Sequence, residues 1–276
     1  DGIGLLRTEL LFMDRAAAPS EDEQLLVYRA IVQALGPERS IIIRTLDVGG
    51  DKPLAYLPLP REDNPFLGLR GLRVGLDRPD ILRTQLRAIL RASESGAVAV
   101  MFPMVTTLGE LREARAMLDE AGRELAVAPV PVGIMVEVPS AALLAPAFAR
   151  EVDFFSIGSN DLTQYTLAMD RGHPKLAPRV DALHPAVLRL IDLTVRAAHD
   201  QGKWVGVCGG MAGEAQAVPI LIGLGVDELS VSVPAVASAK AQVRGLSFEA
   251  CRDLAARALD AETAADVRAL TPEVED

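Results

Sequence analysis

Short apolar runs punctuate this chain at regular intervals, and segments with helical spacing of apolar residues separate them. The runs are Ile3 to Leu6, Ile41 to Ile43, Val98 to Phe102, Val132 to Val136, Phe154 to Ile157, Val205 to Val207 and Leu229 to Val233. Continuous apolar stretches of this length, alternating with amphipathic segments, predict buried parallel strands in βα units. Ser20 with Glu23 predicts a capping box ahead of Leu25, Tyr28, Val32 and Leu35. Thr107 with Glu110 predicts another ahead of Leu111, Ala114 and Leu118. Gly36, Gly96, Gly122 and Gly202 read as helix stops.

An eighth strand is expected at Leu69 to Val74, which makes the fold class α/β, a closed (β/α)8 TIM barrel. A doubly wound sheet is the alternative, but no GxGxxG turn opens a helix. Asp47 to Pro65, rich in proline, glycine and charge, reads as an elaborated loop over the barrel mouth. Beyond Ser247 a helical, charged segment without a strand is expected.

With 276 residues, half of them hydrophobic, a single large core is affordable, so residues 1–276 are expected to form one domain. A net charge of -10 argues against a nucleic-acid or anionic-membrane surface, so an anionic substrate must be drawn by a local arginine cluster. Cys208 and Cys251 are too few for a disulfide framework and suit a reducing cytoplasm. No apolar run approaches the ~20 residues of a membrane span, and no signal peptide is visible. The chain opens at Asp1, already inside a hydrophobic motif, and is expected to be a fragment of a longer protein.

Catalytic groups of a (β/α)8 barrel lie where strands end. Arg7, Arg44, Glu137, Asn160, Asp161 and Cys208 occupy such positions, and Arg70 and Arg73 fall within the expected eighth strand. Each has an ordinary reading singly, as a salt-bridge partner or, for Cys208, a small buried hydrophobe. Their convergence at one mouth points to chemistry. Glu137 and Asp161 suit Mg2+, which takes one or two carboxylates and leaves room for substrate oxygens. Arg7, Arg44 and Arg171 suit phosphate or carboxylate. Asn160 and the first amides of the following helix add neutral donors. Cys208, mostly protonated near neutral pH, can give a proton; a thiolate nucleophile is the less favoured role. Phosphoenolpyruvate fits these groups, because losing its phosphoryl group leaves an enolate whose methylene carbon must gain a proton.

The motifs GLLRTELLFMDR, IIRTLDVGGDKP, NPFLGLRGLR, MFPMV, GIMVEVPSA, DFFSIGSNDLTQYTLAMDRG and GKWVGVCGGMAGE cover nearly the whole chain. Through them it resembles the C-terminal, phosphoenolpyruvate-binding domain of enzyme I of the bacterial sugar phosphotransferase system. The resemblance implies a (β/α)8 barrel that dimerises. It implies substrate contacts from Arg7, Arg44, Arg171, Asn160 and Asp161, with Arg70 and Lys52 as helpers. It further implies Mg2+ on Glu137 and Asp161, and Cys208 as proton donor. Implied partners are a phosphohistidine domain N-terminal to the barrel and, through it, a histidine-containing phosphocarrier protein.

Two departures stand out. Gly209 and Gly210 follow the cysteine where the family often has Gly-Glu, a feature shared with enzyme I modules of multidomain phosphoryl-transfer proteins. The Gly-Gly-x-x-Ser-His type of motif is absent, and His173, His184 and His199 have ordinary readings, so transfer would need the missing domain. Alternatives are the barrel of pyruvate phosphate dikinase or phosphoenolpyruvate synthase, a metal-dependent aldolase or lyase holding a pyruvate enolate, and a dimerisation or regulatory module without catalysis.

Overall fold

The computed structural model describes residues 1–50 and 54–271. Seven parallel strands follow one another in sequence order, β1 (Ile3–Leu6), β2 (Ile41–Arg44), β3 (Val98–Phe102), β4 (Val132–Val136), β5 (Phe154–Gly158), β6 (Trp204–Cys208) and β7 (Glu228–Leu229). Sequential order with intervening helices is the topology of a β/α barrel sheet; a doubly wound sheet reverses its order. By contacts the chain forms two compact units, Asp1–Met135 and Val136–Asp276.

In the first unit, β2 and β3 pair in unbroken register from Ile41 with Val98 to Arg44 with Met101. Every residue of β2 and β3 is buried, which is why both read as continuous apolar runs. Among its described residues the helices are α1 (Glu9–Phe12), α2 (Glu21–Leu35), α3 (Leu72–Asp77), α4 (Pro79–Ser93) and α5 (Leu108–Leu125). Both expected capping boxes form, at Ser20 with Glu23 and at Thr107 with Glu110. Gly122 is no stop. It lies inside α5, whose apolar face continues through Ala121, and the helix closes instead on Ala126 in the left-handed region.

No eighth strand forms at Leu69 to Val74; α3 begins there at Leu72. Gly71, at φ 58, breaks the extended path, and a Cβ on it would come within 2.8 Å of Met104. The backbone N–H of Leu69 donates to the Glu62 carboxylate and that of Gly71 to the Val48 carbonyl, so these groups serve a loop and not a strand ladder. The described part of the Asp47 to Pro65 loop carries a small core of its own, in which Leu54 and Leu57 pack with Phe12, Leu46, Val48 and Val74.

In the second unit, β5 and β6 pair in register from Phe154 with Trp204 to Gly158 with Cys208, and the rings of Phe154 and Trp204 stack at 4.7 Å. β7 is shorter than expected: it covers Glu228–Leu229, and Val233, the expected strand end, instead opens a 3-10 turn with Pro234 at its second position. The helices are α6 (Pro139–Leu143), α7 (Ala145–Phe148), α8 (Ser159–Leu167), α9 (Pro185–His199), α10 (Ala217–Gly223), α11 (Val236–Gly245), α12 (Phe248–Asp260) and α13 (Ala264–Leu270). Arg268 on α13 ties the C-terminal segment to the rest of the unit through Asp181 and Glu214. Among the described residues no helix is long and apolar enough to cross a membrane.

Candidate functional site

In the first unit, two of the candidate arginines are organised by carboxylates. Arg44 closes β2 and is buried; its Nη2 lies 2.5 Å from Glu9 Oε1 and its Nη1 3.2 Å from Asp47 Oδ2. Arg70, also buried, reaches the same Asp47 and lies over the Phe66 ring at 5.6 Å. A buried guanidinium is tolerated only where anions and hydrogen bonds replace its water, and Glu9 and Asp47 do that here. A neutral network fixes the same strand end. Gln85, fully buried, donates to Thr8 Oγ1 and Tyr28 Oη and accepts from the Leu46 N–H, and Thr8 donates to the Arg44 carbonyl. Arg7 follows β1, the neighbour of β2, and is exposed. Arg73 pairs instead with Glu110 of the α5 capping box, a structural use. Lys52 lies outside the described residues.

In the second unit, β4 ends directly before Glu137, which is 1% exposed. β5 runs without a loop into α8, so Ser159, Asn160 and Asp161 form the helix's first turn. Asp161 is buried there, where a carboxylate is favoured by the helix N-terminus, and its Oδ2 lies 3.5 Å from Arg171 Nη1. Arg171 is itself held by its backbone N–H, which donates to Gln164 Oε1. Asn160 is exposed and accepts from the Gly210 N–H at 3.1 Å.

Cys208 closes β6 beside this turn. Its carbonyl accepts from Ser159 Oγ at 2.8 Å, and its Sγ lies 3.6 Å from Ser156 Oγ. Gly209 follows at φ 94, and a Cβ there would come within 2.5 Å of Ser159 Oγ. The strand end and the helix start are therefore packed as one piece. Gly210, by contrast, is exposed and open enough for a side chain.

Among the described residues no group of three or more His, Cys, Asp and Glu gathers into a metal cage. Two buried carboxylates, Glu137 after β4 and Asp161 in the first turn of α8, are oxygen donors of the type that could serve a hard cation completing its shell with water and substrate oxygens. The histidines have local tasks. His184 Nδ1 accepts from the Ala186 N–H at the start of α9, His199 bonds Asp227, and His173 accepts from the Lys175 N–H.

The sequence pattern of the family described as PEP-utilising enzyme, PEP-binding domain, matches residues 1–248. The chain belongs to this family. Among proteins similar to this chain is the multiphosphoryl transfer protein of Rhodobacter capsulatus, 59% identical over 270 residues, covering 98% of this chain and 32% of that protein. The phosphoenolpyruvate-protein phosphotransferase of Haemophilus influenzae is 48% identical over 279 residues, covering 99% of this chain and 48% of that protein. The chain thus spans about a third to a half of the length of these relatives. Malate synthase from Haloferax volcanii, solved as a pyruvate/acetyl-CoA ternary complex, shares the fold at 14% identity, with a TM-score of 0.53 over 82% of this chain and 57% of that one.

Four residues of this chain escaped sequence reasoning. Glu9 and Asp47, which hold the arginines, follow Arg7 and Arg44 within three residues, in RTE and RTLD. That repeated wording was a signal. Ser156 is the polar residue in the otherwise apolar FFSIG strand, and Ser159 begins α8; their partners come from β6.

Proposed function

We propose that this chain binds phosphoenolpyruvate with Mg2+, presents its phosphoryl group to a histidine on a separate N-terminal domain, and releases pyruvate. This would be the first step of a cytoplasmic sugar phosphotransferase system, with a histidine-containing phosphocarrier as onward partner and a homodimer as the working form. Family membership and the names of the relatives support the reading, and the 59% identity to a multiphosphoryl transfer protein favours a multidomain setting.

The observation that carries it is the junction of β5 and α8. It buries Asp161 within 3.5 Å of Arg171 and joins it, through Ser159 and Asn160, to the strand end that carries Cys208. In this reading Arg7, Arg44 and Arg171, with Arg70 and Lys52 as helpers, bind the anionic groups, and Asn160 and Asp161 contact the phosphate. Glu137 and Asp161 would hold magnesium, which when bound supplies charge neutralisation to the substrate's oxygens. The P–O bond breaks toward the histidine, leaving enolpyruvate. The Cys208 S–H then gives its proton to the methylene carbon, leaving a thiolate and pyruvate.

The test is proton exchange on pyruvate. With Mg2+ in heavy water, the methyl group should gain deuterium by NMR, and Cys208→Ala should abolish this; undiminished exchange in that variant rules out the thiol as the acid. Adding the N-terminal domain and phosphoenolpyruvate should give phosphohistidine, and its absence would favour a lyase or a non-catalytic module.

A further inference from the structure

β5 is buried along its whole length, yet Ser156 at its centre is polar and only 2% exposed. A hydroxyl in such a place is costly unless it is hydrogen-bonded. Its partner is the Cys208 sulfur at 3.6 Å. The register explains how they meet. Ser156 lies opposite Gly206 and Cys208 opposite Gly158, so Ser156 and Cys208 are diagonal neighbours on one face of the sheet. Gly206, directly across from Ser156, puts no side chain between them.

The main chain at Cys208 is fixed separately, by the bond from Ser159 to its carbonyl. Ser156 is thus a contact to the thiol itself. A serine hydroxyl can both accept and donate. Here it donates to the sulfur, which fixes the sulfur in place while leaving the S–H proton for the methylene carbon, and it goes on donating afterwards, when the sulfur carries a negative charge. Hydrogen bonds to charged groups are stronger than neutral ones, so the contact strengthens as the reaction proceeds.

We propose that Ser156 is the positioning residue for the Cys208 acid. It aims the thiol and stabilises the thiolate left when the S–H bond breaks and a C–H bond forms at the methylene carbon of enolpyruvate. The inference rests on Cys208 being the proton donor, and no redox change or further reactant is involved. Because the contact of Ser156 is to the acid, its loss should appear in the rate and not in binding.

The experiment is deuterium incorporation into pyruvate with Mg2+, run on wild type, Ser156→Ala, and the near-isosteric pair Ser156→Thr and Ser156→Val. Ser156→Ala should lower kcat on the order of tenfold with KM for pyruvate and the melting temperature unchanged. Ser156→Thr, which keeps the hydroxyl, should exchange on the order of tenfold faster than Ser156→Val at equal KM; this pair decides the matter if the alanine variant fails to fold. Equal rates in Thr and Val variants, or a rise in KM in place of a fall in kcat, would overturn the assignment. No exchange in wild type would instead bring down the underlying reading of Cys208.

Discussion

The carboxylate of Asp47 meets the guanidinium of Arg70 at two points, Nε to Oδ1 and Nη2 to Oδ2, each at 3.3 Å. The same carboxylate lies 3.2 Å from Arg44, so one acidic residue sets the positions of two buried arginines. Removing it leaves two buried positive charges short of a partner, which is far costlier than losing an exposed ion pair. Asp47→Ala is expected to lower unfolding free energy by about 3–5 kcal/mol, read from the urea midpoint. An unchanged midpoint would mean that solvent or other groups already neutralise these arginines.

Gly209 and Gly210 should respond in opposite ways to the same change. Gly209→Ala places a Cβ at φ 94 and against Ser159 Oγ, so a loss of about 1–3 kcal/mol from backbone strain is expected, together with a fall in pyruvate exchange. Gly210 is exposed, and a Cβ there meets Asn160 Oδ1 at an ordinary 3.6 Å. Gly210→Ala should therefore change stability by no more than about 0.5 kcal/mol. Equal effects in chemical denaturation would show that the positive φ at 209 is not required.

Chelation should stop pyruvate exchange in wild type, and added Mg2+ should restore it. Asp161→Asn keeps the shape of the side chain but removes the charge that a hard cation needs. Its exchange rate is expected to fall on the order of a hundredfold and to respond weakly to added Mg2+. A rate independent of Mg2+ in wild type would remove the metal from the account.

Acid should loosen the C-terminal helix first. Burial pushes the Asp181 carboxyl up, but the hydrogen bond and charge of Arg268, with the Leu183 N–H, outweigh it and hold the group below its ordinary value of 3.8. A carboxyl depressed in the folded state contributes stability that is present above the unfolded value and lost as pH falls through the folded one. Below about pH 4, hydrogen exchange in α13 should therefore accelerate before that of β5 and β6. Asp181→Asn should show the faster exchange already at neutral pH; identical exchange in the variant would exclude Arg268 with Asp181 as the tie.

The fold was readable wherever burial covered both faces of a strand, as in β2, β3 and β4, since an unbroken apolar run has few other uses. It failed where side chains of the loop took over backbone groups. Leu69 to Val74 has strand-like composition, yet Glu62 takes the Leu69 N–H and Gly71 turns the chain, contacts that no local pattern encodes. Similarly, Arg44 at the end of β2 and Arg70 could be named as candidate cations, whereas their shared partner Asp47 depended on a loop whose path is set by tertiary packing. Ser156 was hidden for a simpler reason. A single serine within a strand reveals nothing until the register with β6 places a sulfur beside it.

The missing side chain at Gly209 also limits how this region can diverge. Ser159 Oγ fills the space a Cβ would take, and Asn160 holds the next amide, so the β6 exit and the β5–α8 turn interlock like a key and its ward. Insertions or deletions between residues 208 and 213 would have to be matched by a compensating change at 159–160. Loop length there should consequently be the least variable in any set of working descendants, and library design aimed at new substrates should leave both segments untouched together.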